Sequence, residues 1–131
     1  PRAELLIDPS GSGISKFDVK QVVVRSENGE WTFEKGLDSW NLVKGDGIFD
    51  SSRLDVLLDL VLDAEALSIG IAVYPRESEI ATVTLIGYDF LPIDTVRIAA
   101  SEDGKIILEN GDNVLRMHAG EQIKAIQPFI K

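Results

Sequence analysis

From Leu54 to Leu62 every second position is apolar: Leu54, Val56, Leu58, Leu60 and Leu62. The positions between them read Asp55, Leu57, Asp59, Val61 and Asp63. A period of two is that of a strand with one face buried and a mixed face outward. Asp63-Ala64-Glu65-Ala66 interrupts the pattern, and Leu67, Ile69, Ile71 and Val73 resume it. This predicts two strands. The same stretch also has a helical reading. Ser52 and Asp55 have the spacing of a capping box, and Asp55, Asp59 and Asp63 would share one helix face. The rest of that helix would be apolar nearly all round, which suits only a buried helix. The strand reading is adopted, with at most one short helix near 51–66.

The flanking sequence supports a sheet. Phe17, Val19, Gln21 and Val23 alternate with Lys16, Asp18, Lys20 and Val22. Asn28-Gly29 then marks a hairpin, since both central positions of a type I′ turn want positive φ. Trp31 and Phe33 follow on one face of a returning strand. Residues 36–50 read as a loop containing Gly36, Gly45 and Gly47. Pro75 to Ser78 is a polar turn. Ile80 to Tyr88, Val96 to Ile98, Ile106 to Leu108 and Val114 to Met117 read as strands, and an apolar tail, Ile123 to Ile130, closes the chain. Turn signals recur at intervals of about 8 to 12 residues, as in sandwiches and barrels. The expected fold is all-β: an antiparallel two-sheet sandwich or jelly roll. Residues 1–13 hold a short apolar piece, Glu4 to Ile7, and a flexible Asp8-Pro9-Ser10-Gly11-Ser12-Gly13 hinge. They read as an N-terminal arm or edge strand, and 14–131 as a single β domain.

A chain of 131 residues, 44% of them hydrophobic, is globular and needs no staples. It has no cysteine, hence no disulfide scaffold and no thiolate metal site. The formal charge of -9 repels nucleic-acid phosphates and anionic membranes, so neither is an expected partner. No run approaches the ~18 apolar residues of a membrane span. The first residues lack the layout of a signal peptide, and the compartment stays open.

Phe33-Glu34-Lys35-Gly36-Leu37-Asp38-Ser39-Trp40 is the sharpest local pattern. It resembles the "FE-x-G-x-x-x-W" segment of jelly-roll carbohydrate-binding modules with the galactose-binding-like fold. The resemblance covers eight residues and, loosely, Gly45-Asp46-Gly47. It implies Phe33 and Trp40 turned toward the core and Glu34 as a ligand of a structural calcium. Asp46 and Asp50 lie in the same glycine-rich stretch and complete a candidate oxygen set. The spacing is not that of an EF-hand, and solvation of the surface also accounts for these acids. Trp31, Trp40, Tyr74 and Tyr88 are the candidate platforms for stacking a sugar ring. At least two of them are expected in the core.

Catalysis has little support. His118 is the only histidine, and a surface histidine explains it more simply than a catalytic one. No carboxylate pair is marked by its context, and Gly11-Ser12-Gly13 lacks the Lys-Ser/Thr of a phosphate loop. The expected function is therefore a non-catalytic binding module for a polysaccharide or glycan, which would make it extracellular. The alternative is a self-associating structural protein, a virion component or filament subunit, whose partner is another copy engaged by strand or arm exchange.

Overall fold

The computed structural model describes residues 14–47, 49–110 and 114–130. The arm expected over residues 1–13 lies outside them. Val19–Ser26 (β1), Gly29–Lys35 (β2), Trp40–Lys44 (β3), Ser68–Ile71 (β4), Glu79–Gly87 (β5), Pro92–Ala100 (β6), Ile106–Glu109 (β7) and Val114–His118 (β8) are strands. They form one antiparallel sheet in the order β3-β2-β1-β5-β6-β7-β8-β4. A single sheet replaces the expected two. Its second layer is helical, and this is where the sequence reading of 54–62 fails.

Ser51–Leu58 is an α-helix (α1), continued by a π-helical turn at Asp59–Asp63. The N-cap is Asp50, whose carboxylate accepts the Ser52 N–H at 3.1 Å. The capping residue thus stands two positions before the Ser52 of the expected capping box. Leu54, Leu57, Leu58 and Val61 are buried, at the i, i+3, i+4, i+7 spacing of a helix face. Val56 is 53% exposed while Leu54, Leu57 and Leu58 are buried, an order that a two-residue period forbids. The three aspartates at 55, 59 and 63 form the solvent edge. Ala64 N–H reaches Asp59 C=O at 2.7 Å, an i→i+5 bond. The widened turn coincides with three consecutive buried side chains, Leu60, Val61 and Leu62.

The strands follow the sequence pattern more closely. The β1–β2 hairpin forms where expected, with Ser26 paired to Gly29. Its loop residues are Glu27 and Asn28, and the positive φ falls on Gly29 alone (147°), so the turn is not type I′. Phe17 lies just before β1, in a single 3-10 turn. β3 forms inside the stretch read as loop. The apolar tail is a 3-10 segment, Gly120–Ala125, followed by a short helix, Gln127–Ile130 (α2).

Register aligns one apolar face across the sheet. Val22 stands between Phe33 and Leu85, Val24 between Trp31 and Val83, and Ile98 between Ala81 and Leu108. These side chains and those of α1 make the main core. Each fully buried aliphatic contributes about 1.5–3 kcal/mol. Phe129 of α2 stacks on Phe49 with centroids 5.0 Å apart and meets Trp31 edge-on at 5.3 Å. Trp31 also donates its indole N–H to Asp46 C=O at 2.8 Å. On the opposite face a smaller cluster, Tyr74, Ala99, Ile107 and Leu115, closes the β6–β8 part. No helix among the described residues is long and apolar enough to cross a membrane.

Candidate functional site

The four aromatic platforms expected from sequence separate into two pairs. Trp31 and Tyr74 are buried, at 7% and 4% exposure, so neither ring face is open. Trp31 follows a hairpin turn, but its position opposite Val24 turns it inward. Tyr74 donates its hydroxyl to Glu79 at 3.1 Å, and the Arg97 guanidinium lies over its ring. Burial, reinforced by the Glu79 carboxylate, pushes its phenol well above the ordinary range. Trp40 and Tyr88, by contrast, reach the surface and converge.

The convergence is built at the end of the sheet where β1 and β3 begin and β2 and β5 end. Ser15 caps the 3-10 turn Lys16–Asp18 by accepting the Phe17 N–H, and Phe17 projects into solvent, 77% exposed. After β2 the chain turns through Gly36–Ser39, closed by Gly36 N–H to Ser39 C=O at 2.8 Å. A Cβ on Gly36 would stand 2.8 Å from the Asn41 amide nitrogen and 3.1 Å from that carbonyl, so a side chain there would displace the Asn41 amide and crowd the turn. Leu37 at its tip is fully exposed. Trp40 then opens β3, and its N–H donates to Ser51 Oγ at 3.0 Å, tying the turn to the start of α1.

Lys35 joins these parts. Its Nζ donates to Lys16 C=O at 2.8 Å and lies 5.4 Å from the Trp40 ring and 5.7 Å from the Tyr88 ring. Lys20 Nζ donates to Lys35 C=O at 3.1 Å and lies 5.8 Å from Tyr88. Ammonium groups at these distances are attracted to the ring quadrupole. A groove of about 220 Å³ runs beside them, lined by Phe17, Leu37, Ser39, Trp40 and Asp55 among others. Tyr88 belongs to the β5–β6 turn, closed by Gly87 N–H to Leu91 C=O and Phe90 N–H to Gly87 C=O, both 3.0 Å. Phe90 there holds φ at +62°, rare for a bulky side chain, and is 60% exposed.

A second hollow, near 280 Å³, lies at the other end of β1 and β5 among Arg25, Glu27, Glu79 and Thr82. It contains no aromatic ring, and Arg25 is engaged with Glu30 at 3.0 Å.

The three acids proposed for calcium are not gathered. Glu34 accepts from the Gln21 amide at 3.0 Å, on the face of the sheet away from α1. Asp50 caps α1, and the Ser52 backbone N–H holds its carboxyl below the usual range. Asp46 is exposed in the turn after β3. Among the described residues no group of three or more His, Cys, Asp or Glu could hold a metal ion. His118 is not a surface residue. It is 2% exposed on β8 opposite Ile106 and lines neither hollow. Residues 114–118 alternate across the sheet, and its position is an inward one. Lys35 carries no signal in the sequence, because the groups it meets, Lys16 C=O and the Trp40 and Tyr88 rings, come from elements far apart along the chain. Compared with protein-family models, with curated proteins and with solved structures, the chain has no match.

Proposed function

We propose that this chain is a non-catalytic binding module whose ligand is a carbohydrate, held at the Trp40 groove. The observation that carries the reading is the meeting of Trp40 and Tyr88 about one ammonium, Lys35. Aromatic rings offer a sugar large, rigid, partly apolar faces. Lys35 and the groove residues Ser39 and Asp55 supply donors and acceptors for its hydroxyls. The groove is smaller than the ~300–1,000 Å³ pockets that enclose a drug-sized ligand. It fits one residue of a longer glycan lying across the surface rather than a whole molecule. Phe17 and Leu37, exposed on its rim, extend the apolar surface along such a chain.

Affinity electrophoresis through gels containing a panel of neutral and acidic polysaccharides tests this, with intrinsic tryptophan fluorescence as the second readout. Tyr88 is 57% exposed, so Tyr88→Ala is expected to abolish retardation without moving Tm. Lys35→Met should weaken binding at least about tenfold, the loss of a charge-assisted hydrogen bond of ~1.5–3 kcal/mol. Absence of retardation on every polysaccharide, or binding unchanged in Tyr88→Ala, refutes the reading.

A further inference from the structure

The two edges of the sheet are finished differently. β3 ends on Lys44, and its pairing with β2 slips between Thr32 and Phe33. A lysine and an irregular register are devices that discourage another strand from adding to an edge. β4 has neither. No residue from Leu67 to Tyr74 carries a charge. Its pairing with β8 is regular from Ser68↔Met117 to Ile71↔Val114, and among the described residues β8 is its only strand partner. Leu67, Ile71 and Val73 are 66%, 62% and 90% exposed. Ile69 and Ile71 share one side of β4, and Leu67 and Val73 flank it at alternate positions. A Cβ on Gly70 would find no atom within 4 Å.

The sequence of this edge is nearly symmetric about Gly70. Ile69 mirrors Ile71, Ser68 mirrors Ala72, and Leu67 mirrors Val73. A strand that pairs antiparallel with a copy of itself about a two-fold axis sets each residue opposite its mirror position. We propose that β4 pairs antiparallel with β4 of a second copy, with the two-fold axis at Gly70, so that two sheets join into one. Ile69 then faces the second copy's Ile71 and Leu67 its Val73, which doubles the apolar stripe. The small Ser68, Gly70 and Ala72 fall on the other side. The interface is self-complementary and closed, so assembly stops at the dimer. Charge selects this edge as well. At -9 per chain, two copies repel, and they meet with least repulsion along the uncharged stretch. Added salt therefore strengthens the dimer, because it screens that repulsion. β4 and the Trp40 groove belong to opposite edges of the sheet, so this inference stands independently of the carbohydrate reading.

The chain lacks cysteine, which permits a register-specific test. Residues directly opposite in an antiparallel pair are ~4.5–5.5 Å apart at Cα, within disulfide reach. Gly70→Cys is expected to give a covalent dimer under mild oxidation. Ser68→Cys and Ala72→Cys should each fail alone and cross-link when mixed, since each opposes the other. Sedimentation velocity of the unmodified chain should show a dimer, and Ile71→Lys a monomer with an unchanged circular dichroism spectrum. A unmodified chain that stays monomeric up to about 0.1 mM at 0.5 M salt overturns the proposal. So does cross-linking of Val43→Cys, on the β3 edge, as fast as that of Gly70→Cys. A dimer that survives Ile71→Lys overturns it too.

Discussion

The helix-facing side of the sheet is closed in two ways. Along β1, β2 and β5 it is apolar, with Val22, Val24, Phe33, Val83 and Leu85 beneath α1 and the Phe49–Phe129 stack, and the one indole N–H there, that of Trp31, is satisfied by Asp46 C=O. Along β7 and β8 the same side carries Ile106 and Leu108, but opposite them stand His118 and Arg116, 2% and 6% exposed. There the polar groups form a relay. Arg116 Nη1 donates to Asn110 Oδ1 at 2.6 Å, and Asn110 Nδ2 donates to Asp94 Oδ2 at 2.8 Å. The amide connects a buried cation to a carboxylate. The relay is incomplete, since Arg116 Nε and His118 Nε2 have no hydrogen-bond partner among the described residues. The apolar half is limited by shape, and its stability falls with any volume removed. The polar half is limited by partners, and its stability falls with any partner removed.

The largest effect expected follows from shape. Phe129→Ala empties the centre of the aromatic cluster and should cost about 3–5 kcal/mol in urea unfolding, whereas Phe129→Leu, which fills most of the space, should cost clearly less. Equal costs for the two would mean that the contact is not close-packed.

A smaller loss is expected from the relay. Asn110→Ala leaves Arg116 Nη1 without its 2.6 Å acceptor and should cost about 1–3 kcal/mol. Replacing Arg116 and Asn110 together by Met and Ala is expected to cost less than the sum of the separate changes, because the unpaired charge is gone. Strict additivity in the double-mutant cycle would show that the relay does not act as a unit.

The smallest effect is a pH dependence confined to the polar half. Burial, and then the neighbouring Arg116 charge, lower the pKa of His118 below its ordinary 6.5. The unfolded chain then binds the proton more readily than the folded one. His118 therefore contributes stability that is full above pH 6.5 and is lost as pH falls through the lower folded value, by at most ~1.4 kcal/mol per pH unit. Asp50 and Asp103 also lose their stabilising ionised forms in acid, but only below the ordinary carboxylate value of 3.8. His118→Leu is expected to flatten Tm from pH 6.5 to 4.5, and a slope that persists would assign the titration elsewhere.

Several parts of the fold were readable because their pattern is local. Alternation in Val19–Ser26 and Glu79–Gly87 specifies a buried face whatever the partner, and the Asn28-Gly29 hairpin needs only its own turn. Trp31 and Phe33, two apart, could only share a face, and that face proved to be the core. The 54–62 segment misled because its leucines satisfy both periods. Val56, exposed, and Leu57 and Val61, buried, distinguish them, and their burial depends on what covers the helix. β3 is not legible in the sequence because Trp40 to Lys44 has little alternation, and it is a strand by pairing with β2 at one edge.

By itself the sequence determined a mostly antiparallel sheet, its principal hairpins, an apolar alternation at 67–73 and an acidic surface. Each of these depends on neighbours a few residues apart or on summed charge. Tertiary structure decided three other things. It made 51–63 a helix, because one face of a single sheet needs an apolar cover. It buried His118 by the register of β8 against β7. It brought Lys35, Trp40 and Tyr88 together, because strands distant in sequence end at the same side of the sheet, and only the packed chain sets that distance.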